Sequence, residues 1–332
     1  MVSQSPEPIF QVSISNQNAV VQLPPRLSVL EAVAFKQTCQ QLYQENPAPN
    51  QIILDFSQTT FIDSSGVGAL VNNVKTAQQQ GVKLILRGVQ PQVMAVLSLT
   101  GLDQVLTIEP TVETKQFSKT RKVEENLPTT HPSVRSWVKR AIDIVGALVG
   151  LAITAVLLIP IAIAVKLDSP GPVFFGQIRC GWMGKRFKLW KIRSMYVNAE
   201  AMKSQVPNQI EGPLFKNEND PRITRVGRFL RRTSLDELPQ FWNVLKGEMS
   251  LVGTRPPLPE EVERYDVPEW QRLDVKPGMT GEWQVNGRSS IRSFEDVIRL
   301  DLKYQKNWSL MYDLKLIIKT ILILFSKNSG AM

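Results

Sequence analysis

Cysteine and histidine are almost missing from this 332-residue chain, which has two cysteines, Cys39 and Cys180, and one histidine, His131. The cysteines fall in different halves, so no disulfide framework organises the fold and a reducing compartment suits it. A lone histidine in a polar stretch beside Pro132 reads as a linker residue. It excludes histidine-centred metal sites and Ser/His/Asp triads. The first twenty residues lack both a basic start and an apolar core, so no signal peptide is expected and the N-terminus is expected to stay in the cytoplasm. Acidic charge is scarce in one half only. Residues 1–110 carry five basic and seven acidic side chains, a net −2, which leaves +11 for the remainder of a chain whose total is +9. A basic second half suggests partners that carry phosphate.

What is present divides in two. Alternating apolar residues from Ile9 to Leu23 predict a hairpin. Then follow a helix over Leu27–Tyr43, a buried strand at Gln51–Phe56, a helix over Ser65–Gln80 ended by Gly81, a strand at Val82–Arg87 and a helix at Pro91–Leu99. Strands alternating with helices imply an open α/β sheet with packed helices, spanning 1–110. Residues 111–134 are polar, charged and proline-terminated, and read as a linker.

The run TTFIDSSGVG, residues 59–68, sits at a strand-to-helix turn where Asp63 and the serines can cap the helix. With the elements around it, Ile52–Leu106 resembles the STAS domain of anti-sigma-factor antagonists and anion-transporter tails. That resemblance implies a small regulatory sheet-and-helix module with a protein partner, and it implies phosphorylation at Ser64. A phosphate there would meet a helix N-terminus.

From Ile144 to Val165 there are 22 residues without a charge, enough for about 33 Å of helix, so a single span is the simplest reading. Pro160 inside the run predicts a kink. Cations flank both ends, with Lys139 and Arg140 before and Lys166 and Arg179 after, and positive charge marks the cytoplasmic side. A re-entrant helix over about 137–167, entering and returning to the cytoplasmic face, meets both constraints and is preferred. A second apolar stretch, Leu310–Phe325, is interrupted by Asp313, Lys315 and Lys319 and reads as an amphipathic helix lying on the membrane.

Between these membrane elements the chain is rich in arginine and glycine. Gly176–Gly184 reads as a basic turn ringed by glycine, and Asn219–Arg228 with Arg231 and Arg232 as a second basic cluster. Asp236 and Glu237 follow, ahead of a helix that starts near Pro239 and ends at Gly247. The helix dipole and nearby arginines are expected to keep the carboxylates ionised, as nucleophile or Mg²⁺ ligand; capping and ion pairing are the alternative.

Lys139-Arg140-x-x-Asp143, the acidic pair, Ser250–Pro257, Lys276–Arg288, and Asp301–Tyr304 with Asn307–Leu310 occur in order. Together they resemble the bacterial sugar transferases, the monotopic polyprenyl-phosphate phosphoglycosyl transferases, over about Lys139 to Phe325. The resemblance implies an α-helix-rich membrane catalytic domain over 135–332, on the cytoplasmic side of the bacterial inner membrane. It implies that Asp236 attacks the sugar-bearing phosphate of a UDP-sugar and releases UMP, with Glu237 as its acidic partner. Undecaprenyl phosphate then accepts the sugar phosphate at the start of exopolysaccharide, capsule or O-antigen assembly. Mg²⁺ held at Asp236, and Arg228, Arg232, Arg255, Pro256 and Arg288, would handle phosphate and nucleotide; Lys139, Arg140, Asp143 and Pro160 would anchor and shape the membrane helix. Thr254 stands where the family usually has proline, so the nucleotide loop is expected to differ there. The expected partners are the UDP-sugar, the polyprenyl phosphate, membrane lipid and a protein partner for the front module, with homodimerisation left open and nucleic acid excluded. The competing reading is a catalytically silent, membrane-anchored STAS regulator. The donor is expected to be a UDP-hexose, glucose and galactose being indistinguishable.

Overall fold

The computed structural model describes residues 10–15, 17–45, 47–109, 127–209, 215, 217, 219–286 and 293–325. Arg288 and the part of the expected linker from 111 to 126 lie outside them. Two compact units emerge, one made of Met1–Thr130, Met183–Lys185 and Tyr265–Asp274, the other of His131–Trp182, Arg186–Arg264 and Val275–Met332.

In the first unit the strands are β1 (Gln11–Ser15), β2 (Asn18–Gln22), β3 (Arg26–Leu27), β4 (Gln51–Asp55), β5 (Phe61–Ile62), β6 (Lys83–Arg87) and β7 (Thr107–Ile108). The main sheet runs β1-β2-β4-β6-β7, with β1 antiparallel to β2 and every other neighbour parallel. Central β4 is buried at Ile52, Ile53 and Leu54. It reads as a continuous apolar run because helices cover both faces of a parallel sheet. Helix α1 (Val29–Gln44) opens on a Ser28–Glu31 capping box. Helix α2 (Ser64–Gln80) opens on Asp63, whose side chain accepts from the Gly66 N–H at 3.0 Å, and closes at Gly81 with φ 69°. Helix α3 (Pro91–Thr100) completes the layer. The hairpin, the helices and the central strands therefore stand where the sequence puts them, within two residues at each end. The short parallel pair β3–β5 and the edge strand β7 were not anticipated.

Asp274 belongs to this unit and accepts from the Ser64 backbone N–H at 3.0 Å. Burial, and then the neighbouring Asp63 carboxylate, push its carboxyl up to about 7. The folded protein therefore holds a proton that the unfolded chain, with an ordinary value of 3.8, has already released. The resulting stability is present below about pH 4 and is lost as the pH rises through 7. Asp274→Asn is expected to remove this component. The difference in melting temperature between variant and wild type should change between pH 5 and pH 8, and a constant difference would contradict the assignment.

The second unit is helix-rich, as expected, but also carries two small sheets that the sequence did not suggest. After a single helical turn at Pro132–Arg135, α4 (Trp137–Asp168) runs for 32 residues through Pro160. Then come β8 (Phe174–Cys180), β9 (Arg186–Ile192), α5 (Arg225–Arg232), α6 (Gln240–Lys246), β10 (Ser250–Val252), α7 (Pro259–Val262), β11 (Gly278–Thr280), α8 (Glu282–Asn286), α9 (Phe294–Lys306) and α10 (Leu310–Phe325). The stretch expected as a glycine-ringed turn is mostly β8, paired antiparallel with β9 so that Phe174 faces Ile192 and Cys180 faces Arg186. Only the tip turns, at Met183 (φ 59°) and Gly184 (φ 82°). His131 also departs from the linker reading. It starts the Pro132–Arg135 turn, places Nε2 3.0 Å from the Gln305 carbonyl oxygen and meets Trp308 edge-on.

Helix α4 buries one face along its length. Ala147 joins a cluster with Phe187, Leu189, Val244 and Met249, while Ile161 and Val165 pack with Ile192 and Leu230. Gly150 gives Phe241 room, since a Cβ there would stand 2.4 Å from its ring. The opposite face exposes Val145, Val149, Val156, Ile159 and Ile163, a continuous apolar stripe at helical spacing. Among the described residues α4 is the one helix long and apolar enough to cross a membrane. Helix α10 is likewise two-sided, with Asp313 and Leu316 buried and Met311, Ile318 and Leu322 exposed.

Candidate functional site

Asp236 and Glu237 lie in a one-turn helix, Leu235–Glu237, that follows Ser234 in the left-handed region at φ 56°. A non-glycine residue there is uncommon and redirects the chain sharply. Asp236 consequently turns inward and is buried, while Glu237 reaches Lys191 on β9 at 2.8 Å. Helix α6 begins after Pro239 and ends at Gly247 with φ 82°, as the sequence suggests.

The electrostatics differ from expectation. The Asp236 carboxyl lies above the usual carboxylate range because burial dominates; Lys191 opposes that shift, and the Glu237 charge adds to it. The helix that was to favour ionisation is only seven residues long, and desolvation outweighs it. Among the described residues no side chain hydrogen-bonds the Asp236 carboxylate, which accepts from its own backbone N–H.

Two further cations belong to this neighbourhood. Arg179 on β8 donates to Gln177 Oε1 at 2.7 Å and to the Pro256 carbonyl at 3.0 Å. Burial first, and then Arg255, pull its guanidinium down to about 10, with Glu261, Glu237 and Glu260 opposing. Arg255 makes a two-pronged pair with Glu261, at 2.7 and 3.2 Å. Burial would raise the Glu261 carboxyl, but the Arg255 charge and hydrogen bond, the Arg179 charge and the Leu258 N–H together outweigh it and hold it low. The sequence reading met Arg179 only in the basic turn and as a cation flanking the apolar helix, placed Lys191 just after that turn without a role, and did not single out Glu261. Lys191 and Arg179 act on Glu237 from two different strands, and Glu261 joins them only through Arg255 and Arg179.

The arginines of α5 scatter around the helix. Arg231 acts electrostatically on Asp236, whereas Arg225, Arg228 and Arg232 share an exposed face. Thr224 caps the helix by accepting from the Gly227 N–H at 2.9 Å. Gly227 must be glycine because a Cβ would stand 1.9 Å from the Ser194 carbonyl oxygen. Arg222 is spent on Asp220, in a pair reaching 2.6 Å.

The residues expected to anchor the membrane helix all find protein partners. Lys139 donates to Asp313 at 2.6 Å and to the Val252 carbonyl at 3.0 Å. Tyr304 and Trp308 donate to the same carboxylate. Arg140 caps the last carbonyls of α6, Val244 and Leu245, at 2.7 Å each. Asp143 accepts from the Ser250 hydroxyl and the Leu251 N–H, both at 2.9 Å. In the first unit, Ser64 is fully buried with its hydroxyl 3.5 Å from Met183 Sδ.

Glu237→Gln removes the like charge beside Asp236 and frees the Lys191 ammonium. Both changes favour the ionised Asp236 carboxylate, so the acid limb of the pH–rate profile of any reaction that needs it ionised is expected to move to lower pH. A shift to higher pH would contradict this electrostatic account.

An α/β module with a mostly parallel sheet is followed by a helix-rich domain that sets a buried acid among cations and carries one long apolar helix. The chain belongs to the bacterial sugar transferase family, which matches residues 134–327, and its front part matches the STAS domain over 10–115. It is 48% identical over 185 residues to the galactosyl transferase of Streptococcus agalactiae serotype III, covering 55% of this chain and 41% of that one. It is 45% identical over 195 residues to the UDP-glucose:undecaprenyl-phosphate glucose-1-phosphate transferase of Escherichia coli K12, covering 57% and 40%. The chain thus spans about four tenths of the length of these two relatives. An anti-sigma factor antagonist from Mycobacterium paratuberculosis is 22% identical, covering 31% of this chain and 86% of that one, with a TM-score of 0.27.

Proposed function

We propose that this protein transfers a hexose 1-phosphate from a UDP-sugar to undecaprenyl phosphate, the first step of a lipid-linked polysaccharide. The observation that carries the reading is the buried Asp236, without a side-chain donor and neighboured by the Lys191–Glu237 pair, in a chain of the sugar transferase family. An Asp236 oxygen attacks the sugar-bearing phosphorus, and the P–O bond of the anhydride breaks, so UMP leaves with the bridging oxygen. An oxygen of undecaprenyl phosphate then attacks the same phosphorus, the acyl-phosphate bond breaks, and the carboxylate returns. Lys191, Arg179 and Arg255 would supply positive charge to the diphosphate oxygens.

The donor set suits Mg²⁺. Among the described residues no three acidic, histidine or cysteine side chains gather into a metal cage, and Mg²⁺ is commonly held by one or two carboxylates together with substrate phosphates. Asp236, with Glu237 beside it, would hold the ion, which would neutralise the diphosphate charge.

Placement on the cytoplasmic face of the inner membrane is part of the proposal. Both ends of α4 are tied into one folded unit. Lys139 is held at the start, and at the end Asp168 accepts from the Val226 N–H at 2.9 Å while Arg193 binds the Ser169 carbonyl at 2.8 Å. At about 1.5 Å per residue the helix is some 48 Å long, so a bilayer crossing would strip one of these ends of its partners. Entry from one side, with the apolar stripe in lipid, keeps both.

The test is UMP release from a panel of UDP-sugars by the full chain in lipid nanodiscs with undecaprenyl phosphate and Mg²⁺. Release with one hexose donor supports the proposal and names the sugar. No release with any donor, from folded protein, points to the silent regulatory anchor instead.

A further inference from the structure

Two loops, Met183–Lys185 and Tyr265–Asp274, are built into the first unit, although the residues on both sides of each belong to the second. Their positions in the chain are informative. Met183–Lys185 is the tip of the β8–β9 hairpin, between Arg179 on one strand and Lys191 on the other. Tyr265–Asp274 joins α7, which carries the Arg255 partner Glu261, to β11, whose pairing with β10 continues into the Thr254–Pro277 bridge next to Arg255.

Both loops meet the opening turns of α2. The Ser64 hydroxyl lies 3.5 Å from Met183 Sδ, and the Ser64 N–H donates to Asp274. The indole of Trp270 covers Gly68 so closely that a Cβ there would stand 2.5 Å from its Cγ. The far edge of the same indole faces Gly184, where a Cβ would be 3.2 Å away. Trp270 therefore ties the two loops to each other as well as to the helix. Lys36 on α1 pairs with Asp266 at 3.2 Å on the rim, and Arg272, fully buried, donates to Tyr265 Oη at 2.6 Å within the longer loop.

We propose that the α1–α2 face of the STAS-type module serves this same chain as a clamp, holding the two loops that connect the strands and the arginine loop of the sugar-phosphate site. The proposal rests on the site assigned above. Holding the hairpin tip and the long loop in register fixes the spacing between Arg179, Lys191 and Arg255, and small displacements of positioning groups are costly to catalysis. Loops held by few contacts open easily, whereas a buried indole shared by two loops suppresses that opening.

The test is hydrogen exchange by mass spectrometry on the full chain in nanodiscs, with Gly68→Leu, which displaces Trp270, and Trp270→Ala, which removes it. Ile14→Thr, at the exposed edge strand, is the control. Both clamp variants are expected to raise exchange at least tenfold in the two loops and also in β8, β9 and β11, and to lower kcat at least tenfold; the control should change neither. Faster exchange confined to the loops, with β8, β9 and β11 unchanged, would overturn the proposal. Should Gly68→Leu also deprotect β4 and β6, showing that the module itself has opened, Trp270→Ala decides by the same criterion. If the wild type releases no UMP, the transferase reading fails, and the exchange pattern still decides whether the clamp exists.

Discussion

Asp236→Asn is expected to abolish sugar-phosphate transfer, lowering the rate by about 10³-fold or more, because the amide cannot supply the attacking oxygen. The fold should survive. Burial already disfavours the charged form of this side chain, so a neutral isostere relieves a desolvation cost, and the thermal midpoint should hold or rise. Loss of activity with an unchanged or higher midpoint separates a chemical role from a structural one. Retained turnover would remove Asp236 from the mechanism.

The second large effect concerns stability. Lys139 and Asp313 form a buried pair at 2.6 Å, with side-chain exposures of 8% and 4%. The same carboxylate also serves Tyr304 and Trp308. Lys139→Met leaves that carboxylate without its cation, and breaking one side of a buried pair costs about 3–5 kcal/mol. The full chain should melt at markedly lower temperature, with α4 and α10 losing exchange protection first. Replacing both partners, as in Lys139→Met with Asp313→Leu, should recover part of the loss, because the uncompensated charge is gone. A single variant as stable as wild type would show that water or lipid reaches the pair.

The hairpin, helices and central strands of the front module were legible from local pattern. QIILD and KLILR are continuous apolar runs of the kind a buried parallel sheet requires, Ser28 with Glu31 forms a capping box, and Gly81 stops α2 in the left-handed region. The second half was legible through α4 and through the acid pair before α6. It was illegible where contacts are non-local. β8, with one glycine and one charge among apolar residues, reads as a loop as well as a strand, and the charged–apolar alternation of β9 is a strand signal that was passed over. Arg179 and Lys191 act on Glu237 only because that hairpin carries them there. The arginines near 222–232 form one cluster in the chain but not in space. Helical geometry sends Arg231 toward Asp236 and Arg228 outward, while Asp220 consumes Arg222. The upward shift of the Asp236 carboxyl was not foreseen, because a short helix and nearby arginines were weighed without the burial that only the folded chain reveals.

The most direct test of the account omits the acceptor. Wild-type protein in nanodiscs, mixed with its UDP-sugar but no undecaprenyl phosphate, should release a burst of about one UMP per chain. The peptide containing Asp236 should gain the mass of a hexose phosphate, which later addition of undecaprenyl phosphate discharges. Turnover that requires the acceptor, with no burst and no modified peptide in its absence, would mean direct transfer between the two substrates and would contradict a covalent role for Asp236.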